Sequence, residues 1–252
     1  MILAILQARL SSSRLPNKVL KSILGKPMLL HQVERLQHSK KIDKLVIATS
    51  NDVSDDAIEK MCLDNNIEVF RGDLNNVLDR FYQCAKPYSP ENVVRLTGDC
   101  PVIDWQVIDN VIEYFLLEKY DYVATSLDFP DGLDCEIMTM DALKTAWDNS
   151  TLPSEKEHVT RYINQKKRFK IGSFANDQKL SFLRWTVDEA EDFVLVEAIY
   201  QNLYPKNPNF LTDDILKLLE QKPELSKINA RFTRNSGLQK TLKEDEKFLN
   251  NV

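Results

Sequence analysis

Short apolar runs alternate, in the first half of the chain, with longer segments whose apolar residues recur at helical spacing. Runs that are apolar throughout are typical of strands buried on both faces of a parallel sheet. The pattern predicts strands at residues 2–6, 45–48, 67–70, 93–96 and 122–125. It predicts helices that begin at Pro27 or span about 55–65, 75–85 and 105–119. This alternation indicates an α/β fold built on a doubly wound, mostly parallel sheet.

The second half of the chain is less regular. Its pattern predicts strands at 133–139, 169–174 and 182–185, and helices at 141–149, 154–166, 189–203 and 213–221. No linker rich in Gly, Ser or Pro divides the chain, so we expect a single domain over 1–228 with an inserted substructure at about 127–180. Charged and polar residues dominate from 229 to 252, which predicts a loosely held C-terminal tail.

Composition excludes several classes of function. The 252 residues carry a net charge of −5 without a long basic run, which argues against extended nucleic-acid binding. No apolar stretch reaches the ~20 residues that span a bilayer, so we expect no membrane segment. The first apolar run lacks a charged region before it, which favours a strand over a signal peptide. Four widely spaced cysteines predict reduced thiols and a cytoplasmic protein.

The loop after the first strand concentrates positive charge and hydroxyl groups. Arg9, Arg14 and Lys18 lie there together with the serines at 11–13, and no acidic residue interrupts them. Ligands of open α/β sheets bind at the carboxyl ends of strands, and Arg supplies donors in a planar fork that suits phosphate. The loop is therefore interpreted as an anion cradle, although it matches neither the Walker motif nor G-x-G-x-x-G.

Two aspartates follow predicted strands. Asp99 is placed to hold Mg²⁺ beside bound phosphates, but Gly-Asp before Cys-Pro is also a good turn. Asp188 precedes a predicted helix, where an Asp is more often an N-cap than a metal ligand. If both strands belong to one sheet, the two carboxylates converge on one cation.

A second polar group surrounds Gly132. Asp131, Asp134 and Glu136 either bind sugar hydroxyls or a cation, or form an ordinary exposed turn. Glu157 is interpreted first as a helix-capping partner, and His158 as a weaker candidate for substrate contact.

Several short blocks occur together in a characteristic order. They are QARLSSSRLPNK at 7–18, ATS at 48–50 with acidic residues at 55–56, VFRG at 69–72, VLDR at 77–80, RLTGDCP at 95–101, GLD at 132–134, EHVT at 157–160 and LRWTVD at 183–188. In this order, over about residues 1–200, the blocks resemble the CMP-sugar synthetases. These are the cytidylyltransferases that act on Kdo and acylneuraminates, and the chain most resembles their SpsF-like polysaccharide-biosynthesis branch.

The resemblance implies a Rossmann-like nucleotidyltransferase that uses CTP and Mg²⁺ and forms a homodimer, with the 127–180 insertion as the expected interface. It places Asp99 and Asp188 on the metal, and Arg9, Arg14 and Lys18 on the triphosphate. The implied nucleotide-binding residues are Ala8, Arg9, Ser12, Ser13, Arg14, Lys18, Thr49, Ser50, Asn51, Arg71, Gly72, Asp79, Arg80, Thr97 and Asp99. The implied substrate-binding residues are Asp131, Asp134, Glu136, Glu157, His158 and Arg184.

Two positions depart from the family pattern. Asn17 stands where the family has Gly, and we expect the turn to survive because Asn tolerates left-handed backbone. Arg161 stands where the SpsF-like branch usually has Pro, which affects the expected acceptor side. The predicted reaction is transfer of CMP from CTP to an acidic or modified sugar, with release of pyrophosphate. The alternatives are a glycosyltransferase that uses nucleotide-diphosphosugars, which lacks support because Thr97 occupies the place of a second Asp, and a non-catalytic nucleotide-binding relative.

Overall fold

The computed structural model describes residues 1–234 and 236–250. Its strands are β1 (Ile2–Gln7), β2 (Ser22–Ile23), β3 (Lys26–Pro27), β4 (Lys44–Ser50), β5 (Val69–Gly72), β6 (Asn92–Thr97), β7 (Tyr122–Thr125), β8 (Glu136–Thr139) and β9 (Ile171–Phe174). Its α-helices are α1 (Met28–Leu36), α2 (Asp56–Asp64), α3 (Val77–Ala85), α4 (Trp105–Glu118), α5 (Met140–Asn149), α6 (Pro153–Glu157), α7 (Arg161–Gln165), α8 (Ala190–Leu203), α9 (Thr212–Gln221) and α10 (Ser236–Leu249). No helix among these residues combines the length and apolar character needed to cross a bilayer.

The central sheet has seven strands in the order β5-β4-β1-β6-β8-β7-β9. Every pairing is parallel except those of β8, which runs antiparallel to both neighbours, so the predicted mostly parallel sheet is confirmed. The chain adds β4 and β5 on one side of β1 and then returns to place β6 on the other side. Such a switch point leaves a crevice between the loops that follow the two central strands, where open α/β sheets bind ligands.

Both faces of β1 are buried, as its continuous apolar run predicts. Ala4 and Leu6 pack in one core with helices α1, α2, α4 and α8, while Leu3 and Ile5 pack in a second core with α3, α5 and α7. Because side chains alternate along a strand, the single run feeds both layers. The result is a sheet that is rigid at the point where its first loop leaves it.

The predicted helix over 154–166 is wrong, because the structure breaks it into α6 and α7. Val159 lies between them in the left-handed region, with φ of 45°, and its side chain is fully buried. Thr160 donates its hydroxyl hydrogen to Glu136 at 2.6 Å. These two tertiary contacts fix the turn, and a continuous helix would lose them.

The strand predicted at 182–185 is also wrong. This segment makes one isolated parallel bridge, between Asp131 and Arg184, and Phe182 is exposed. Gly132 has φ of 111° and turns the backbone after Asp131 away from residues 182–185. A Cβ on Gly132 would lie 2.5 Å from the Thr186 nitrogen. The two segments therefore approach closely at one point and cannot extend into a ladder.

Residues after 229 contain a helix that the sequence does not predict. Asn229 is buried and donates to the Arg184 carbonyl, and Asp245 of α10 accepts from Ser154 of α6. The expectation for this segment rested on its charged and polar composition, which does not report these polar anchors. The 127–180 segment, for its part, supplies β8 and β9 to the central sheet.

Candidate active site

The ammonium group of Lys18 joins two carboxylates that are distant in sequence. Its Nζ donates to Asp99 Oδ2 at 3.1 Å and to Asp188 Oδ1 at 2.8 Å. A third bond, 2.8 Å long, goes to the carbonyl of Val187. The predicted convergence of Asp99 and Asp188 is therefore present, at the carboxyl ends of β1 and β6.

Local backbone geometry places Lys18. Asn17 adopts the left-handed conformation with φ of 57°, as expected from its tolerance of that region, and Lys18 opens a short 3₁₀ turn. The Asn17 N–H donates to the carbonyl of Leu10 at 3.2 Å, which closes the loop on itself. The loop thus delivers a buried lysine from a largely exposed segment.

Asp99 lies at a point where three backbone segments meet. A Cβ on Gly98 would lie 3.0 Å from the Gln7 carbonyl, a tight contact, so Gly suits the close approach of this segment to the end of β1. The Asp99 carbonyl accepts from Val187 N at 2.8 Å, which ties the segment of Asp188 to the same edge.

Asp188 does not cap helix α8, so the capping interpretation is wrong. The carboxylate of Asp192 instead accepts from the backbone N–H groups of Asp188 and Glu189, at 3.0 and 2.9 Å. This leaves the Asp188 side chain to face cations. Besides Lys18, it contacts Arg14 at 3.0 Å and Arg184 at 3.2 Å.

Electrostatics keep Lys18 and Asp99 ionised. Burial alone would lower the pKa of Lys18, but the charges of Asp99 and Asp188 outweigh it and raise that pKa. Burial alone would raise the pKa of Asp99, but the Lys18 charge and the Thr97 hydroxyl lower it to about 2. The Lys18 ammonium and the Asp99 carboxylate therefore form an ion pair at neutral pH.

Arg184 extends the ion pairs away from Lys18. It bridges Asp131 at 2.7 Å, Asp188 at 3.2 Å and Asp192 at 2.9 Å, and its side chain is 8% exposed. Burial and the neighbouring Asp134 raise the pKa of Asp131 to about 6, while Arg184 and Arg234 oppose the rise. The Arg184 guanidinium thus connects Asp131, a predicted substrate-binding residue, to Asp188, a predicted metal ligand.

Comparison with known proteins identifies the chain. A sequence model described as "Cytidylyltransferase" matches residues 3–230. The chain belongs to the cytidylyltransferase family. It is 36% identical over 238 residues to an uncharacterised protein of Methanocaldococcus jannaschii, covering 93% of this chain and 97% of that one. It is 32% identical over 231 residues to the spore coat polysaccharide biosynthesis protein SpsF of Bacillus subtilis, covering 88% and 95%.

A solved cytidylyltransferase has the same fold. The structure of a cytidylyltransferase from Leptospira borgpetersenii superposes with a TM-score of 0.85 at 29% identity, and covers 92% of this chain and 98% of its own. The expected nucleotidyltransferase architecture is confirmed.

The cytidylyltransferase loops on the predicted nucleotide side are held by a buried carboxylate that sequence reasoning did not single out. Asp55 is fully buried and accepts from Leu10 N at 2.7 Å and Ser50 N at 3.1 Å, as well as from the Ser50 hydroxyl. It therefore links the loop after β1 to the end of β4. The acidic residues at 55–56 were part of the family pattern, and this bond is the physical reason for an acid there.

Several predicted nucleotide-binding residues are engaged with protein groups. Arg71 donates to the carbonyls of Ser50 and Asp52 at 2.9 and 2.8 Å and pairs with Glu59. Asp79 accepts from the Trp147 indole at 2.7 Å, and so joins α3 to α5. These contacts give Arg71 and Asp79 a positioning role whether or not they touch a nucleotide.

Arg80 is buried behind Gly72, where a Cβ would lie 2.8 Å from the Arg80 Cγ. Burial and the charge of Arg9 lower the pKa of Arg80 to about 10. The charges of Asp55 and Asp73 oppose this lowering, and Arg80 Nη1 donates to the Asp73 carbonyl at 2.8 Å. Arg9 itself is 43% exposed and lies 4.0 Å from Glu157.

Other predicted nucleotide-binding residues lie at or just after the carboxyl ends of β1, β4 and β6. The Thr49 hydroxyl is buried without a hydrogen-bond partner, whereas the Thr97 hydroxyl contacts Cys100 Sγ at 3.4 Å. Ala8 N donates to Ala48 at 3.1 Å, Asn51 N to Gly72 at 2.7 Å, and Ser12 Oγ accepts from Leu15. Ser13 is exposed in the same loop.

On the predicted acceptor side, Glu136 belongs to a closed network. Arg95, Tyr122 and Thr160 all donate to its carboxylate. Burial would raise the pKa of Glu136, but Arg95 and these hydrogen bonds lower it. His158 bonds Thr241 of α10 at 2.7 Å, and Asp134 pairs with Arg234.

The donor set of this cytidylyltransferase fits a divalent cation. Within 1–234 and 236–250, no group of three or more His, Cys, Asp or Glu forms a preassembled metal cage. Asp99 and Asp188 nevertheless share the Lys18 ammonium, which marks a place where a cation is stable. Mg²⁺ commonly binds through one or two carboxylates plus substrate phosphates, so two carboxylates without a cage suit it.

Proposed function

We propose that the protein transfers CMP from CTP to an acidic or modified sugar and releases pyrophosphate. The observation that carries the proposal is the junction of Asp99 and Asp188 on the Lys18 ammonium at the switch point of the sheet. Family membership supports cytidylyl transfer, and the similarity to SpsF supports an acceptor used in surface polysaccharide or glycan synthesis.

In the proposed reaction, a sugar hydroxyl attacks the α-phosphorus of CTP in line. The new P–O bond forms as the bond to the β-phosphate oxygen breaks, and the hydroxyl proton passes to solvent. Catalysis of this kind depends on positioning and on neutralising charge. Arg9, Arg14 and Lys18 are proposed to contact the triphosphate and stabilise the charge that develops on pyrophosphate.

Asp99 and Asp188 are the residues proposed to hold Mg²⁺. When bound, the ion supplies Lewis-acid polarisation of the phosphate oxygens. The side chains proposed to bind the acceptor are Asp131, Asp134, Glu136, Glu157, His158 and Arg184. Of these, Glu136 is held in place by Arg95, Tyr122 and Thr160. We further propose a homodimer with an interface in 127–180, and a cytoplasmic location, which four unpaired buried cysteines support.

The deciding experiment is a pyrophosphate-release screen of four nucleoside triphosphates against a panel of acidic sugars, with Mg²⁺ present. We expect release with CTP and a sugar together, and none with a nucleotide-diphosphosugar. Thermal stabilisation by CTP without turnover on any sugar would instead indicate a non-catalytic nucleotide-binding protein and refute the proposal.

Asp99→Asn tests the metal role. The variant loses one of two carboxylate charges at the proposed Mg²⁺ site, so turnover should fall by at least ~100-fold while the fold persists. Asp213→Asn, on the exposed surface of α9, is the matched control and should keep wild-type turnover. Full Mg²⁺-dependent activity in Asp99→Asn would remove this residue from the site.

A further inference from the structure

The C-terminal segment places a guanidinium against the predicted acceptor side. Arg234 Nη2 donates to Asp134 Oδ1 at 2.5 Å, and its Nε lies 3.7 Å from Asp131 Oδ1. Its Nη1 also donates to the carbonyl of Phe129 at 3.1 Å. The side chain is only 16% exposed, which is low for an arginine in a segment outside the sheet.

Arg234 completes a chain of alternating charges. It neighbours Asp131, which pairs with Arg184 at 2.7 Å, and Arg184 in turn contacts Asp188 at 3.2 Å. Asp188 is joined through Lys18 to Asp99. A residue near the end of the chain therefore acts on the same electrostatic network as the proposed catalytic carboxylates.

The rest of the C-terminal segment holds the other part of the acceptor side. In α10, Thr241 bonds His158 at 2.7 Å, and Asp245 accepts from Ser154 N at 2.9 Å. Ser154 lies on α6, the helix that carries Glu157. The family model matches residues 3–230, so Arg234, Thr241 and Asp245 lie outside the part of the chain that it covers.

We propose that Arg234 is a specificity-determining residue that makes the acceptor side accept an anionic sugar. The inference rests on the proposed function. Without Arg234, the carboxylates of Asp131 and Asp134 would face the acceptor with only Arg184 to offset them, and they would repel a sugar carboxylate. Arg234 neutralises the pair and fixes the 127–134 loop through the Phe129 carbonyl. Its contacts place it on the acceptor side, so it should not affect CTP binding.

The test compares Arg234→Gln with Arg231→Gln. Arg231 lies three positions earlier, is 70% exposed and pairs with Glu191, so its variant removes an equal charge away from the acceptor side. The probes are CTP with 3-deoxy-manno-octulosonate or whichever acidic sugar the screen identifies, and the same sugar as its uncharged carboxamide. The readouts are the KM for each sugar, the KM for CTP, and amide hydrogen exchange over 127–134.

In Arg234→Gln we expect the KM for the acidic sugar to rise at least ~10-fold, equivalent to ~1.4 kcal/mol, with the KM for CTP unchanged within about twofold. The preference for the acid over the carboxamide should shrink, which a loss of loop order alone would not produce. Arg234→Lys, which keeps the charge, should recover part of that preference. Arg231→Gln should match the wild type.

Two failures are distinguishable. If the wild-type protein releases pyrophosphate with an acidic sugar, and Arg234→Gln keeps both its acceptor KM and its preference for the acid, the specificity role is overturned and the proposed function stands. If the wild-type protein releases none with any sugar of the panel, the proposed function fails, and the acceptor role of Arg234 fails with it. Equal rises in the KM for CTP and for the sugar would also overturn the role.

Discussion

Asn17 has backbone angles that most residues avoid, with φ of 57° and ψ of 20°. Its conformation turns the loop after β1 so that the next side chain, Lys18, enters the protein between Asp99 and Asp188. For most L-residues the left-handed region costs roughly 1–2 kcal/mol, and Asn is one of the few that visit it routinely. One exposed residue therefore sets the direction of the lysine that joins both carboxylates.

Asn17→Ala should lower the free energy of unfolding by about 1 kcal/mol, because Ala is strained at this φ. Asn17→Gly should stay within about 0.5 kcal/mol of the wild type, because Gly adopts the same angles without strain. Urea unfolding of the three proteins measures both effects. Equal stability of the Ala and Gly variants would contradict the role assigned to this turn.

At the residue scale, the sequence predicted the charged groups more completely than their partners. The loop cations and the two aspartates were identified because each follows a predicted strand and because the family resemblance includes them. Spacing alone favoured a capping role for Asp188, because its position before α8 is the usual one; the residue that caps these N–H groups, Asp192, lies four residues on. Arg234 was missed because its partners are about 100 residues away, a distance that no local pattern reports.

Among the elements, the predicted strands of the first half are all present. For β1, β4 and β6 the reason is that a strand buried inside the sheet leaves a continuous apolar run. Predictions failed where tertiary contacts decide the local structure. Val159 breaks a helix in order to bury its side chain, and residues 182–185 lack a neighbour that continues beyond Asp131. Helix α10 was not predicted because the segment was interpreted from its charged and polar composition, and its anchor on α6, Asp245, is itself polar.

Asp245→Ala should loosen that docking. The substitution leaves the buried N–H and hydroxyl of Ser154 without an acceptor, which typically costs about 1–3 kcal/mol. We expect faster amide hydrogen exchange in α6 and α10, with β1 and β6 unaffected. Glu246→Ala, on the exposed side of the same helix, is the control. Unchanged exchange in α6 would show that this contact does not hold α10.

On the scale of the whole molecule, the packing of helices on the sheet buries the side chain of one histidine, His31. His31 of α1 is 1% exposed and lies against the rings of Tyr200 and Tyr204. Burial lowers its pKa below the ordinary 6.5, as do the charges of Lys26 and Arg35, while Ile23 and Glu34 oppose them. The unfolded chain therefore takes up this proton more readily than the folded protein.

Below about pH 6.5 the histidine becomes protonated in the unfolded chain before it does so in the folded protein. His31 therefore lowers the free energy of unfolding as the pH falls through this range. His31→Gln should reduce the dependence of unfolding free energy on pH between about 6.5 and 5. His38→Gln, an exposed change two residues after the end of α1, is the control for the loss of a histidine. An identical pH profile for His31→Gln and the wild type would contradict this assignment.

The bridge that Lys18 forms has a consequence for folding. Two acidic groups brought together without a counter-ion would repel each other and push the central loops apart. Here the chain carries its own counter-ion, so these loops can close without a cation from solution. The geometry of this edge of the sheet is therefore set by the protein's own charges.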